Sequence, residues 1–285
     1  MVIPVAKEGD TLYNRIKALH KELSRHAEKH GIAYEIVLVS DVFHAPTLKA
    51  MIRLSKEGIA RSLFLTRRIG KGGAVKNAVP YTRGRYLVIL DADVPVGPTV
   101  IHRAALLAMK HEVDLLIANR VYRTHGLLRR LLSIGYNGLV NLLFRTGLRD
   151  HQAGFKILSR RAAEIILVGR TRTDGLAYDT ELVVWAKKHK LKYKALDVVW
   201  KEQREGSTIP PLRALLTMFA DLIVLRLVAL GTKYAALQRH PVGDVVELGS
   251  LRAVGREFIT ALRASGPKRY LLDALRRIYV AVAFR

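Results

Sequence analysis

The sequence predicts an α/β fold: a mostly parallel sheet with helices on both of its faces. Three observations lead there. Short apolar runs rich in β-formers alternate with amphipathic segments through the first half of the chain. The run Tyr86–Leu90 is apolar throughout, as a strand covered on both sides must be. Half of the 285 residues are hydrophobic, enough for a large core.

The elements follow in order. Val2–Val5 is a first strand. Thr11–Lys29 carries Leu12, Ile16, Leu19 and Leu23 at helical spacing. Glu35–Val39 is a second strand, leading to Asp41, and Thr47–Lys56 is a helix. Ser62–Thr66 is a third strand, Lys76–Thr82 a short helix, and Tyr86–Leu90 the fourth strand. Thr99–Lys110 is helical and Asp114–Ala118 is a fifth strand. In such sheets ligands bind beyond the carboxyl ends of the strands. Asp41, Gly70–Gly73 and Asp91–Asp93 all fall just past predicted strand ends.

The second half has a different texture. Gly126–Gly147 is both apolar and basic, which fits a core helix with a solvated edge or a helix lying in a membrane interface. Asp150–Ser159 is loop and strand, Tyr178–Lys190 a helix, and Lys192–Trp200 a strand. After Pro210 and Pro211, Leu212–Leu230 is a strongly apolar helix that contains Arg213, Asp221 and Arg226. Charges near the centre of a crossing helix cost roughly 2.5–3.5 kcal/mol each, so a surface-lying amphipathic helix is expected. Thr232–Arg285 is expected to be helical.

Lys and Arg number 48 against 24 Asp and Glu, a net charge of +24, which favours anionic partners. Nucleic acid is not the expected one: aromatics are 7% and no RNA-binding motif appears. Cysteine is absent, which excludes disulfides and thiolate metal sites. The first residues lack a signal-peptide run, so a cytoplasmic-side location is expected.

Asp91 and Asp93 project to the same side of an extended segment. Two carboxylates so placed suit a hard divalent cation, Mg²⁺ or Mn²⁺, and through it a diphosphate. The segment Arg67–Gly73 is basic and glycine-rich ahead of a helix, a setting that favours anions, although its spacing is not that of a Walker loop. Asp179 and Glu181 open a helix, where acids compensate the helix dipole.

Together these pieces resemble the family-2 glycosyltransferases of GT-A fold. They resemble most the polyprenyl-phosphate branch, the dolichyl-phosphate mannosyl- and glucosyltransferases. The resemblance runs from Val2 to Tyr234 on Val2–Val5 with Glu8, Val37–Asp41, Gly70–Ala74, Leu90–Asp93, Ala118–Arg120 and Arg129–Ser133. It continues through Asp150–Lys156, the most specific string, then Asp174–Leu182 and Trp200–Ser207. Two departures stand out: Lys7-Glu8 where the family often has Asn-Glu, and Ser40–Phe43 where it often has Asp-Asp-Gly-Ser.

The resemblance implies a GT-A domain over residues 1–210 and a helical, membrane-interface region over 211–285. It implies that Pro4, Glu8, Asp41, Lys71, Asp91, Ala92 and Asp93 bind the nucleotide-sugar (UDP-glucose or GDP-mannose), with Mg²⁺ or Mn²⁺ on Asp91 and Asp93. Asp93, Asp150 and Gln152 would serve catalysis. Arg120, Arg129, Ser133, Arg204 and Ser207 would face the phosphate of a polyprenyl or dolichyl phosphate. An alcohol acceptor needs a base, for which Asp179 or Glu181 is available; a lipid monophosphate arrives deprotonated and needs basic groups and positioning instead. The basic apolar helices suit an anionic membrane surface, where each basic side chain gains about 1 kcal/mol.

Overall fold

The computed structural model describes residues 1–122, 127–171, 177–200, 219, 221–226, 229 and 245–247, with backbone alone at 122, 127–131 and 246–247. The strands β1 (Val2–Val5), β2 (Val37–Ser40), β3 (Arg61–Leu65) and β4 (Tyr86–Leu90) lie where the apolar runs place them. They alternate with α1 (Thr11–His30), α2 (Ala45–Lys56), α3 (Lys71–Ala78) and α4 (Pro98–Lys110). β5 (Leu115–Tyr122), α5 (Leu127–Phe144) and β6 (Phe155–Ser159) follow. Next come α6 (Arg160–Ala162), which runs into a π-turn over Ala163–Val168, then α7 (Tyr178–Lys188), β7 (Tyr193–Val199) and β8 (Val245–Glu247).

Among the described residues, eight strands form one sheet in the order β7-β5-β6-β4-β1-β2-β3-β8. β6 runs antiparallel to β4 and β5, and β8 antiparallel to β3; the other pairings are parallel. Neighbouring residues of one strand feed opposite cores, as the period of two requires. Ile3, Leu38, Phe64 and Val88 pack with Leu12, Met51 and Ile101 of α1, α2 and α4. Val2, Val37, Leu63 and Leu87 pack with Val75, Val140 and Leu182 of α3, α5 and α7. Truncating one of the buried α1 leucines to alanine costs about 2–5 kcal/mol.

Three expectations change. The helix expected at Lys76 opens at Lys71, because Gly70 (φ 88°) ends the loop and Gly72 and Gly73 are buried inside the first turn. β5 runs past Ala118 to Tyr122, since β7 pairs with it as far as Val199 across a bulge near Arg120. In the segment expected to be helical, Val245–Glu247 is instead a strand hydrogen-bonded to the edge of β3. Residues 221–226 are helical as expected, while the remainder of 232–285 and most of 212–230 lie outside the described residues.

α5 has a core face and an exposed face. Tyr136, Val140 and Phe144 are core, while Ile134 and Leu142 on its other face are 59% and 76% exposed.

Candidate active site

Parallel strands end at one edge, and the connections at that edge hold the polar residues. On the β1–β2–β3 side, backbone amides bind the carboxylates. Glu8 Oε2 accepts from the Ala6 N–H at 2.6 Å. Asp41 Oδ2 accepts from the N–H groups of Ile69 and Gly70, at 2.9 and 2.5 Å, and so fixes the loop that opens α3. Pro4 lies in β1 opposite Val39. Ala92 is buried, and its carbonyl receives Arg15 Nη1 from α1 at 3.2 Å.

Past β4 the carboxylates meet cations. Asp91 is fixed by its backbone: its N–H donates to the Gly154 carbonyl at 3.0 Å, and its carbonyl accepts from the Val94 N–H at 2.9 Å. A Cβ at position 154 would lie 1.7 Å from Asp91 Oδ2, so only glycine allows this approach. Asp91 Oδ1 pairs with Lys71 Nζ at 2.6 Å, and Lys71 lies 3.6 Å from Asp179 Oδ2, on the first turn of α7. The Asp179 Oδ1 atom accepts from Lys156 Nζ at 2.6 Å, and Lys156 also donates to the Ala153 carbonyl at 2.5 Å. Burial works against the charge on Lys71, but Asp179 and Asp91 outweigh it and raise its pKa well above the usual lysine value. Complete burial lowers the pKa of Lys156, a pull that Asp179 opposes and Lys71 reinforces.

Asp93 differs from these. Burial, and then the nearby Asp91 charge, raise its carboxyl to about 6. A carboxyl held this way is stabilised as the anion by an added cation. Among the described residues no group of three or more His, Cys, Asp or Glu side chains is placed to hold a metal. A cation at this edge would find Asp91, already paired with Lys71, and Asp93, the less engaged of the two. That donor set fits Mg²⁺ or Mn²⁺, which take one or two carboxylates and leave their other positions to phosphate oxygens and water.

On the β5–β6–β7 side a fork-to-fork pair dominates. Arg120 donates from Nε to Asp150 Oδ2 at 2.6 Å and from Nη2 to Oδ1 at 2.9 Å. Asp150 is almost fully buried and also accepts from the Gln152 N–H at 3.2 Å. The Arg120 guanidinium lies 5.3 Å from the centre of the Trp200 ring. Burial lowers the pKa of Arg120, but the hydrogen bonds and charge of Asp150 more than reverse this. The next residue, His151, ties the loop to α5: Nδ1 meets Asn137 Oδ1 and Nε2 meets Thr146 Oγ1, both at 2.6 Å. Asn137 Nδ2 donates in turn to the Ser133 carbonyl at 2.8 Å. Burial pushes His151 down to about 4, so it is neutral at pH 7.

Glu8, Asp41, Lys71, Asp91, Ala92, Asp93, Asp150 and Gln152 thus lie in or beside the connections at that edge, with Arg120 paired to Asp150, whereas Pro4 lies within β1 and Ser133 within α5. Arg204, Ser207 and the side chain of Arg129 lie outside the described residues. The sequence reading gave Lys156 no role and treated Asp179 as a helix-end acid or a base. Both belong to the Lys71–Asp91 cluster. The legible signal was the lysine inside the apolar run Phe155–Leu158; Asp179, followed by Thr180 and Glu181, offers no such signal.

The family model for glycosyl transferase family 2 matches residues 1–167. The chain belongs to that family. Among curated relatives, the dolichyl-phosphate beta-glucosyltransferase of Dictyostelium discoideum is 27% identical over 240 residues, which cover 79% of this chain and 73% of the relative. Two solved structures share the fold. Mannosyl-3-phosphoglycerate synthase from Rubrobacter xylanophilus has a TM-score of 0.59 at 18% identity, over 85% of this chain and 77% of its own. Glucosyl-3-phosphoglycerate synthase from Mycobacterium tuberculosis, solved with Mn²⁺, UDP and glucosyl-3-phosphoglycerate, has a TM-score of 0.59 at 17% identity, over 86% and 85%. The protein is a GT-A-type glycosyltransferase.

Proposed function

We propose that the chain moves a hexose, glucose or mannose, from UDP-glucose or GDP-mannose to a polyprenyl phosphate such as dolichyl phosphate, with inversion at the anomeric carbon. Glucose is favoured by the Dictyostelium relative and by Trp200–Ser207. Glu8, Asp41 and the Lys71 loop would line the nucleotide side. Asp91 and Asp93 would hold Mg²⁺ or Mn²⁺, whose chemistry there is to neutralise charge on the departing diphosphate.

The observation that carries the acceptor class is that three buried carboxylates, Asp150, Asp179 and Glu181, already have partners, while Asp93 is the one assigned to the cation. Asp150 is held by both arms of Arg120, Asp179 lies between two lysines, and Glu181 accepts from Trp185 Nε1 at 3.0 Å. Carboxylate oxygens occupied in this way are not offered to an incoming hydroxyl, and an alcohol acceptor needs a base within hydrogen-bond reach. A phosphate monoester needs none. Its oxygen attacks the anomeric carbon as the bond to the diphosphate breaks on the opposite face. Arg120, whose third nitrogen Nη1 is not engaged by Asp150, would position it, with Gln152, Ser133, Arg129, Arg204 and Ser207 around it.

The lipid tail would lie along a membrane surface reached by the exposed faces of α5 and residues 221–226. Ile134, Leu142, Ile223 and Val224 are exposed there, and Arg226 lies over Phe144 of α5. No described helix is long and apolar enough to cross a membrane. Association would be peripheral, at an anionic, cytoplasmic-side surface, through these faces and residues 211–285, as the charges Arg213, Asp221 and Arg226 within the apolar stretch 212–230 favour. The domain division at 210 would follow function rather than the sheet, which reclaims 245–247.

Labelled UDP-glucose and GDP-mannose, offered with dolichyl phosphate, with dolichol and with a lipid-linked glycan, test the reading. Label is expected in dolichyl phosphate only. Label confined to dolichol or to glycan overturns it.

A further inference from the structure

Lys71 has two carboxylates within reach. Its Nζ is 2.6 Å from Asp91 Oδ1 and 3.6 Å from Asp179 Oδ2. The two lysines of the cluster are not equivalent. Lys156 is wholly buried and anchored between Asp179 Oδ1 and a backbone carbonyl, whereas Lys71 is 23% exposed at the first residue of α3. Lys71 is thus the cation free to turn. Asp91 has little latitude: its backbone is pinned, and Oδ2 lies against Gly154. Its other oxygen, Oδ1, is the one Lys71 occupies. A divalent cation and an ammonium on one oxygen are like charges roughly 3–4 Å apart, and their repulsion displaces one of them.

We propose that Asp179 is a second berth for Lys71: Nζ moves to Asp179 Oδ2 when Asp91 Oδ1 goes to the cation, and there it faces the incoming diphosphate. Asp179 is then a positioning residue acting through Lys71. Lys71 and the cation compete for Asp91, and Lys156 holds Asp179 in place. This rests on the metal reading given above.

The test is a double-mutant cycle on Mn²⁺ binding, followed by electron paramagnetic resonance on the full chain, without nucleotide and again with UDP. Lys71→Met removes the competitor and is expected to tighten Mn²⁺ binding by about tenfold in the nucleotide-free protein, the scale of one charge-assisted contact. Asp179→Asn removes the alternative berth and is expected to weaken binding by about tenfold, with Asp179→Glu restoring it. In the Lys71→Met background, Asp179→Asn is expected to change nothing, with or without UDP.

An equal Asp179→Asn effect in both backgrounds means a merely structural role and overturns the proposal. Where Asp179→Asn does not fold, Lys71→Met alone decides, and unchanged or weaker Mn²⁺ binding overturns it. Wild-type protein that transfers sugar yet binds no Mn²⁺ overturns the metal reading and this proposal together. Mn²⁺ binding without coupling between the two positions overturns this proposal only.

Discussion

The two halves of the active edge treat carboxylates in opposite ways. Beyond β1 and β2, Glu8 and Asp41 are bound by backbone N–H groups of the loops they shape. Beyond β4, β5 and β6, Asp91, Asp179 and Asp150 are bound by the side chains of Lys71, Lys156 and Arg120. An amide-bound carboxylate fixes a backbone. A carboxylate bound to a lysine or arginine fixes a cation, and cations are what phosphates meet. The first half is therefore built to hold a shape, and the second to hold charge where phosphate groups would come and go.

The contrast can be broken or sharpened in order of expected effect. Asp93→Ala removes the carboxyl assigned to the cation and is expected to lower kcat by about 10³-fold, read as labelled lipid product. Gly154→Ala forces a methyl group onto Asp91 Oδ2. It is expected to lower activity by about 100-fold and stability by about 1–3 kcal/mol, measured as turnover and urea midpoint.

The pH dependence of stability probes the charge-holding half from below. Folded His151 titrates near 4, and a free histidine near 6.5. Between those values the unfolded chain binds more protons, so stability is full above about 6.5 and falls as pH drops toward 4. On the order of 3 kcal/mol is at stake across that window. Urea midpoints from pH 7 to 4.5 are expected to fall more steeply for the wild type than for His151→Gln.

Arg120→Lys replaces the fork by a point charge. It is expected to raise KM for the lipid phosphate about tenfold while leaving KM for the donor within about twofold. Asp41→Asn keeps an acceptor for Ile69 and Gly70, so a loss of only about 1 kcal/mol and a donor KM raised by a few fold are expected. An Asp41→Asn defect as large as that of Asp93→Ala would erase the distinction between the halves.

Much of this was legible in the residues. The strands past which Asp41 and Asp91 sit are local apolar runs, and parallel topology alone brings their ends to one edge. The start of α3 was misread because Gly72 and Gly73 resemble loop by propensity, whereas their burial against the sheet decides the matter. β8 was illegible for a different reason. Val245, Val246 and Glu247 are too few to show a period, and their strand conformation comes from pairing with β3 far upstream. The Lys71–Asp91–Asp179–Lys156 cluster joins four elements, and one chain read linearly gives no distance between them.

That pairing of β8 with β3 also sets a timetable. β3 emerges early from the ribosome, but the strand that covers its edge is made last of the eight. At about 5–20 residues per second, translation of the intervening chain takes roughly 10–40 s. For that interval the nascent protein carries an uncovered strand edge with Leu63, Phe64 and Leu65 along it, a ready template for pairing with another chain. Truncation before Val245 would remove the strand that pairs with this edge of β3 for good.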